Sequence, residues 1–162
     1  MRFIGTIDAK VDSKGRVFLP AIFRRAFQEE AGLGETSGEV RLVMRKDVFE
    51  DCLVLYPEEV WYKRLDELKQ RLSVWNKAEQ AMLRKYVKDA EWLTLDSNGR
   101  FLLSKRYLQM AGIEGEVTFV GMDGTIEVWA KQKLEAQQSD DEFALNIESI
   151  MCPASHTDNG NC

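Results

Sequence analysis

The sequence is poor in the residues that carry most enzyme chemistry. It has one histidine, three cysteines and three prolines in 162 residues, and His156 falls in a C-terminal stretch of Pro, Ser, Thr, Asp, Asn and Gly. No nucleophile elbow, phosphate loop or metal-binding motif is present. Asp12 and Asp96 could be drawn together as paired carboxylates, but each has an arginine four residues on that would hold it ionised. The expectation is a protein that is not an enzyme, with no catalytic residues and no cofactor. Cys52, Cys152 and Cys162 are odd in number and scattered, which fits free thiols in a reducing compartment. Cys152, His156 and Cys162 lack CxxC spacing, so no metal site is expected. No apolar run approaches the roughly 20 residues that span a bilayer, and Met1 to Gly5 lack the apolar core of a secretory signal. A cytoplasmic protein that avoids the membrane is expected.

Basic residues are missing from one end of the chain. None follows Lys133, whereas Glu135, Asp140, Asp141, Glu142, Glu148 and Asp158 are acidic. The net charge of −5 therefore hides a different balance over residues 1–134, which hold all 22 basic residues against 21 acidic ones. Within residues 1–25, Arg2, Lys10, Lys14, Arg16, Arg24 and Arg25 face only Asp8 and Asp12, a local +4. Local clustering sets the field that a phosphate backbone meets, and these six cations are the candidate DNA-binding residues.

A repeat organises the rest. Asp12-Ser13-Lys14-Gly15-Arg16 returns 84 positions later as Asp96-Ser97-Asn98-Gly99-Arg100, and each copy runs into an apolar triplet, Val17-Phe18-Leu19 and Phe101-Leu102-Leu103. Asp and Ser bond their own backbone two residues on, and the glycine tolerates the positive φ of a tight reversal between strands. Asp12, Gly15, Asp96, Gly99 and Arg100 are read as the structural turn residues. Arg16, with Lys14 beside it, forms a basic knob at the rim, and its planar fork of donors suits a phosphate or a guanine edge.

In chain order, a strand entering the first turn is followed by a return strand and a helix opened by Pro20, in which Arg24 and Arg25 face outward. That helix ends near Gly32 and Gly34, a polar loop covers Glu35 to Gly38, and β-rich runs follow at Val40 to Met44 and Leu53 to Tyr56. Pro57 opens a helix with Glu58 and Glu59 in its first turn and a stripe of Trp61, Leu65, Leu68 and Leu72; a second helix runs from Asn76 to Lys88. The elements then recur, with a helix over Lys105 to Ala111 and strands flanking Met122-Asp123-Gly124. The expected divisions are a first repeat over 1–56, a helical linker over 57–89, a second repeat over 90–138, and a disordered acidic and polar tail over 139–162. Halves of about 50 residues cannot each bury an apolar face alone, so they should interleave about a pseudo-two-fold that brings the two turns together.

These residues resemble the MraZ family. The features are Asp-x-x-Gly-Arg twice, the Phe-Ile-Gly start, Gly-Arg-Val-Phe-Leu-Pro-Ala after the first motif, Val-Leu-Tyr-Pro at the end of the first half, and Ala-Gly-Ile after the second motif. The resemblance implies an α+β fold in which two tandem swapped-hairpin, SpoVT-AbrB-like repeats form one β-barrel-like core with peripheral helices. It also implies a nucleoid-associated transcriptional regulator of the bacterial division and cell-wall gene cluster, assembled as a homo-oligomeric ring on double-stranded promoter DNA with short direct repeats. The motif arginine of the family corresponds to Arg16 and its basic neighbour to Lys14. The second copy departs at Asn98. An antitoxin-like interaction module on the same fold is the alternative.

Overall fold

The computed structural model describes residues 1–30, 40–137 and 139–152, and the chain divides into two compact units, Met1–Lys131 and Gln132–Cys162. The expected end of the first helix at Gly32 and Gly34 and the loop over Glu35–Gly38 lie outside the described residues.

The first unit runs β1 (Thr6–Lys10), β2 (Arg16–Phe18), α1 (Ala21–Glu30), β3 (Arg41–Lys46), β4 (Leu53–Pro57), α2 (Glu58–Arg71), α3 (Lys77–Lys88), β5 (Glu91–Thr94), β6 (Arg100–Leu102), α4 (Lys105–Ala111), β7 (Glu116–Gly121) and β8 (Ile126–Ala130). It is α+β, and its strands exchange partners between repeats. β1 pairs with β7 of the second repeat, β5 pairs with β3 of the first, and β4 meets β8 at the seam, all antiparallel. The order is β1-β7-β8-β4-β3-β5. This sheet does not close into a barrel: β1 and β5 are its edges, and β2 and β6 leave it to form a two-stranded ribbon. The ribbon strands are three residues long and pair with each other rather than with an edge of the six-stranded sheet.

The pseudo-two-fold passes through that ribbon. Val17 stands opposite Phe101, with Arg16 opposite Leu102 and Phe18 opposite Arg100, so residues 84 apart exchange places. The same offset relates buried Leu19 to Leu103 and Phe23 to Tyr107. Alternation along a strand sends Val17 and Phe101 inward, where they join Phe3, Leu42, Met44, Leu53, Leu55, Phe119, Ile126 and Val128 in a core drawn from both repeats. Each fully buried side chain of this size contributes about 1.5–3 kcal/mol, and neither repeat could enclose this cluster alone.

On the other face of the sheet, α2 packs through Trp61 against Val43, Val54 and Tyr56. Trp61 stacks on Tyr86 of α3 with centroids 5.2 Å apart, and the Arg45 guanidinium lies over Tyr86 and donates to its carbonyl oxygen at 3.1 Å. Of the expected stripe on α2, only Trp61 is buried; Leu65, Leu68 and Leu72 are half-buried.

In the second unit, α6 spans Asp140–Met151, following the short α5 (Lys131–Glu135), which begins at the boundary. The expectation of a disordered tail from residue 139 is corrected over this stretch. Ser139 accepts from the Glu142 backbone N–H at 3.3 Å, and Asp140, Asp141 and Glu142 fill the first turn, where the helix dipole favours acids. Cys52 is a buried free thiol, whereas Cys152 is disulfide-bonded, contrary to the expectation of free thiols. His156 and Cys162 lie outside the described residues.

Candidate nucleic-acid interface

The two turns are built alike. In the first, Asp12 Oδ1 accepts from the backbone N–H groups of Lys14 and Arg16, and Oδ2 accepts from Arg16 Nε, each at 2.9 Å. In the second, Asp96 Oδ1 accepts from Asn98 and Arg100, and Oδ2 from Arg100 Nε, again at 2.9 Å. Backbone bonds close each loop, from Asp12 N–H to the Arg16 carbonyl and from Asp96 N–H to the Arg100 carbonyl. Gly15 and Gly99 carry φ of +85° and +82°, the region that the turn demands and that other residues enter at a cost.

These bonds also set the electrostatics. The Arg16 backbone N–H is the largest cause holding the Asp12 carboxyl below the usual carboxylate range; the Arg16 side chain and the Lys14 N–H add to it against some desolvation. Asp96 is lowered in the same way, chiefly by the Arg100 backbone N–H. Each carboxylate is thus ionised at neutral pH and holds its arginine by Nε alone. The two terminal amino groups of Arg16 have no acceptor among the described residues, which leaves a pre-aimed fork at the rim.

The turns adjoin through the ribbon. Leu103 N–H donates to the Gly15 carbonyl at 2.7 Å, and Leu19 N–H to the Gly99 carbonyl at 2.9 Å, so each turn is tied to the other repeat. Arg16 and Arg100 are diagonal neighbours on the outward face of the ribbon, a spacing of roughly 7–8 Å between backbones. Phe18 and Leu102 share that face and are about half exposed, at 53% and 55%. Both belong to the apolar return strands that the sequence predicts, and the period-two alternation around Val17 and Phe101 is the signal that they point outward.

The six cations of the first 25 residues do not form one patch. Lys14 and Arg16 sit together on the first turn. Arg2 lies beyond the far end of β1, a strand of roughly 17 Å, and faces Asp123 at 3.7 Å. Lys10 is directly opposite Glu116 in the ladder. Arg25 is exposed on α1. Arg24 does not face outward as expected: it is half-buried, with its side chain over Gly99 of the second turn. Packing of α1 against the other repeat's turn redirects it.

Comparison with known proteins adds the family. The model of the family described as "MraZ protein, putative antitoxin-like" matches residues 2–85 and 87–149. The chain is 50% identical over 160 residues to a protein of Bacteroides fragilis named transcriptional regulator MraZ, covering 98% of this chain and 97% of that one. A protein of the same name from Bacteroides thetaiotaomicron is 49% identical over 152 residues, 93% of each chain, and one from Idiomarina loihiensis is 33% identical over 151 residues, 89% of this chain and 94% of its own. With twin Asp-x-x-Gly-Arg turns, partner-exchanged repeats and these relatives, the chain belongs to the MraZ family.

Proposed function

We propose that this protein is a sequence-specific, DNA-binding transcriptional regulator acting on direct repeats in the promoter of the division and cell-wall gene cluster, its own gene included, in the cytoplasm at the nucleoid. The observation that carries the reading is the Asp12–Arg16 turn: a rigid reversal presents an arginine fork, anchored by Nε, beside Lys14 at an exposed rim. A bidentate arginine contact to guanine contributes about 1–3 kcal/mol of discrimination. One such contact is weak, so several copies act together.

The assembly follows from that need. Copies joined head to tail close into a ring that presents identical turns in one orientation, whereas a two-fold dimer presents them inverted. A compact body of about 134 residues has a diameter of roughly 36 Å, close to one turn of DNA. Boxes should therefore recur in the same direction about 10 base pairs apart. The test is a footprint on DNA upstream of the protein's own gene, followed by titration of duplexes with one box shifted by about 5 base pairs or inverted. Both changes should remove most of the affinity. Equal binding to the shifted duplex, or preference for the inverted one, would contradict the ring reading.

A further inference from the structure

Arg24 belongs to α1 of the first repeat, yet it lies across the turn of the second. A β-carbon at Gly99 would stand 2.9 Å from Arg24 Cζ and 3.0 Å from its Cδ, so the guanidinium occupies the space left by the missing side chain. Arg24 Nε is buried with no hydrogen-bond partner, and no residue among those described accepts from the rest of the side chain. Nε is too enclosed for an outside acceptor to reach, whereas the terminal amino groups are not among the buried atoms, so they are the donors an anion could meet.

The turn beneath it is short of one cation. Lys14, Arg16 and Asp12 give the first turn a net charge of +1, whereas Asn98, Arg100 and Asp96 sum to zero; Arg24 restores the balance. Arg100 is less available than its counterpart. Its guanidinium lies 5.7 Å from the Phe18 ring, and its side chain is 24% exposed against 36% for Arg16.

We infer that Arg24, seated on Gly99, binds a phosphate of the DNA backbone, so that the second turn is a phosphate clamp completed by the first repeat. This deepens the DNA-binding reading above and rests on it. The two turns divide the work: Arg16 and Lys14 reach toward base edges, and Arg24 holds the strand that positions them.

The test is the salt dependence of binding by the full chain to a cognate and a scrambled duplex. Each phosphate neutralised contributes about 0.9 to the slope of log affinity against log salt. Arg24→Gln should reduce that slope by about 0.9 for each copy engaged and weaken both duplexes by the same factor. Gly99→Ala keeps every charge but displaces the guanidinium, so it should lower the slope as well, and it decides the matter if Arg24→Gln does not fold. A slope unchanged in the folded variants, or a loss confined to the cognate duplex, would overturn the assignment of Arg24. Absence of binding by the unmodified protein to any duplex at low salt would instead overturn the DNA-binding reading, and this inference with it.

Discussion

Asp12–Arg16 and Asp96–Arg100 share the same hydrogen bonds at nearly the same lengths, but they stand in different company. Arg16 is opposite Leu102, an aliphatic neighbour that leaves its guanidinium in the open; Arg100 is opposite Phe18, whose ring draws the cation down. Lys14 sits beside the first arginine, whereas the second turn has Asn98 and, above its glycine, Arg24. A duplicated loop can therefore keep its internal geometry and still stand in different surroundings, because cross-strand and cross-repeat neighbours decide what each arginine can reach.

The two glycines offer the sharpest way to break the comparison. Both need positive φ, and a side chain held there costs on the order of 1–3 kcal/mol. Gly15→Ala should cost more than Gly99→Ala, because its β-carbon would meet the Leu103 carbonyl oxygen at 2.5 Å, a fixed backbone atom, whereas the three atoms nearest the one at Gly99 all belong to the flexible Arg24 side chain. Denaturant melts of both variants check this, and equal losses would show that φ alone matters. A smaller effect separates charge from geometry. Asp12 and Asp96 both have carboxyls lowered in the fold, so what each adds to stability is present above the ordinary carboxylate value, about 3.9, and is lost as pH falls through the lowered one. The stability gap between the unmodified protein and Asp12→Asn, and likewise Asp96→Asn, should be full at pH 7 and shrink below about pH 4. Because the bonds match, the two profiles should coincide; divergence would mean that Lys14 or Arg24 biases one turn.

Much of this was legible because turns impose strong local demands. The Asp-x-x-Gly-Arg repeat calls for positive φ at Gly15 and Gly99, which both adopt, and the need to bury an apolar face calls for interleaved halves, which the ladder between β2 and β6 shows. Other features depended on distant contacts or on weighing the wrong signal. Arg24 read as outward from helical spacing, but its direction is set by Gly99, 75 residues away, which leaves room for it. The +4 of residues 1–25 overstated a patch, since β1 separates Arg2 from the turn and the ladder sets Lys10 against Glu116. The segment from Ser139 was judged by its acids, although Ser139-x-x-Glu142 is a capping signal and Phe143, Ile147 and Met151 recur at four-residue spacing, both marks of a helix.

The claim that the two arginines have diverged is tested most directly by competition binding of Arg16→Ala and Arg100→Ala to cognate and scrambled duplexes, with folding checked in parallel. Arg16→Ala should lose most of the preference for the cognate duplex, about tenfold or more for a bidentate contact, while retaining weak binding to both; Arg100→Ala should keep most of that preference. Equal losses from the two variants, or a preference untouched by Arg16→Ala, would contradict the account.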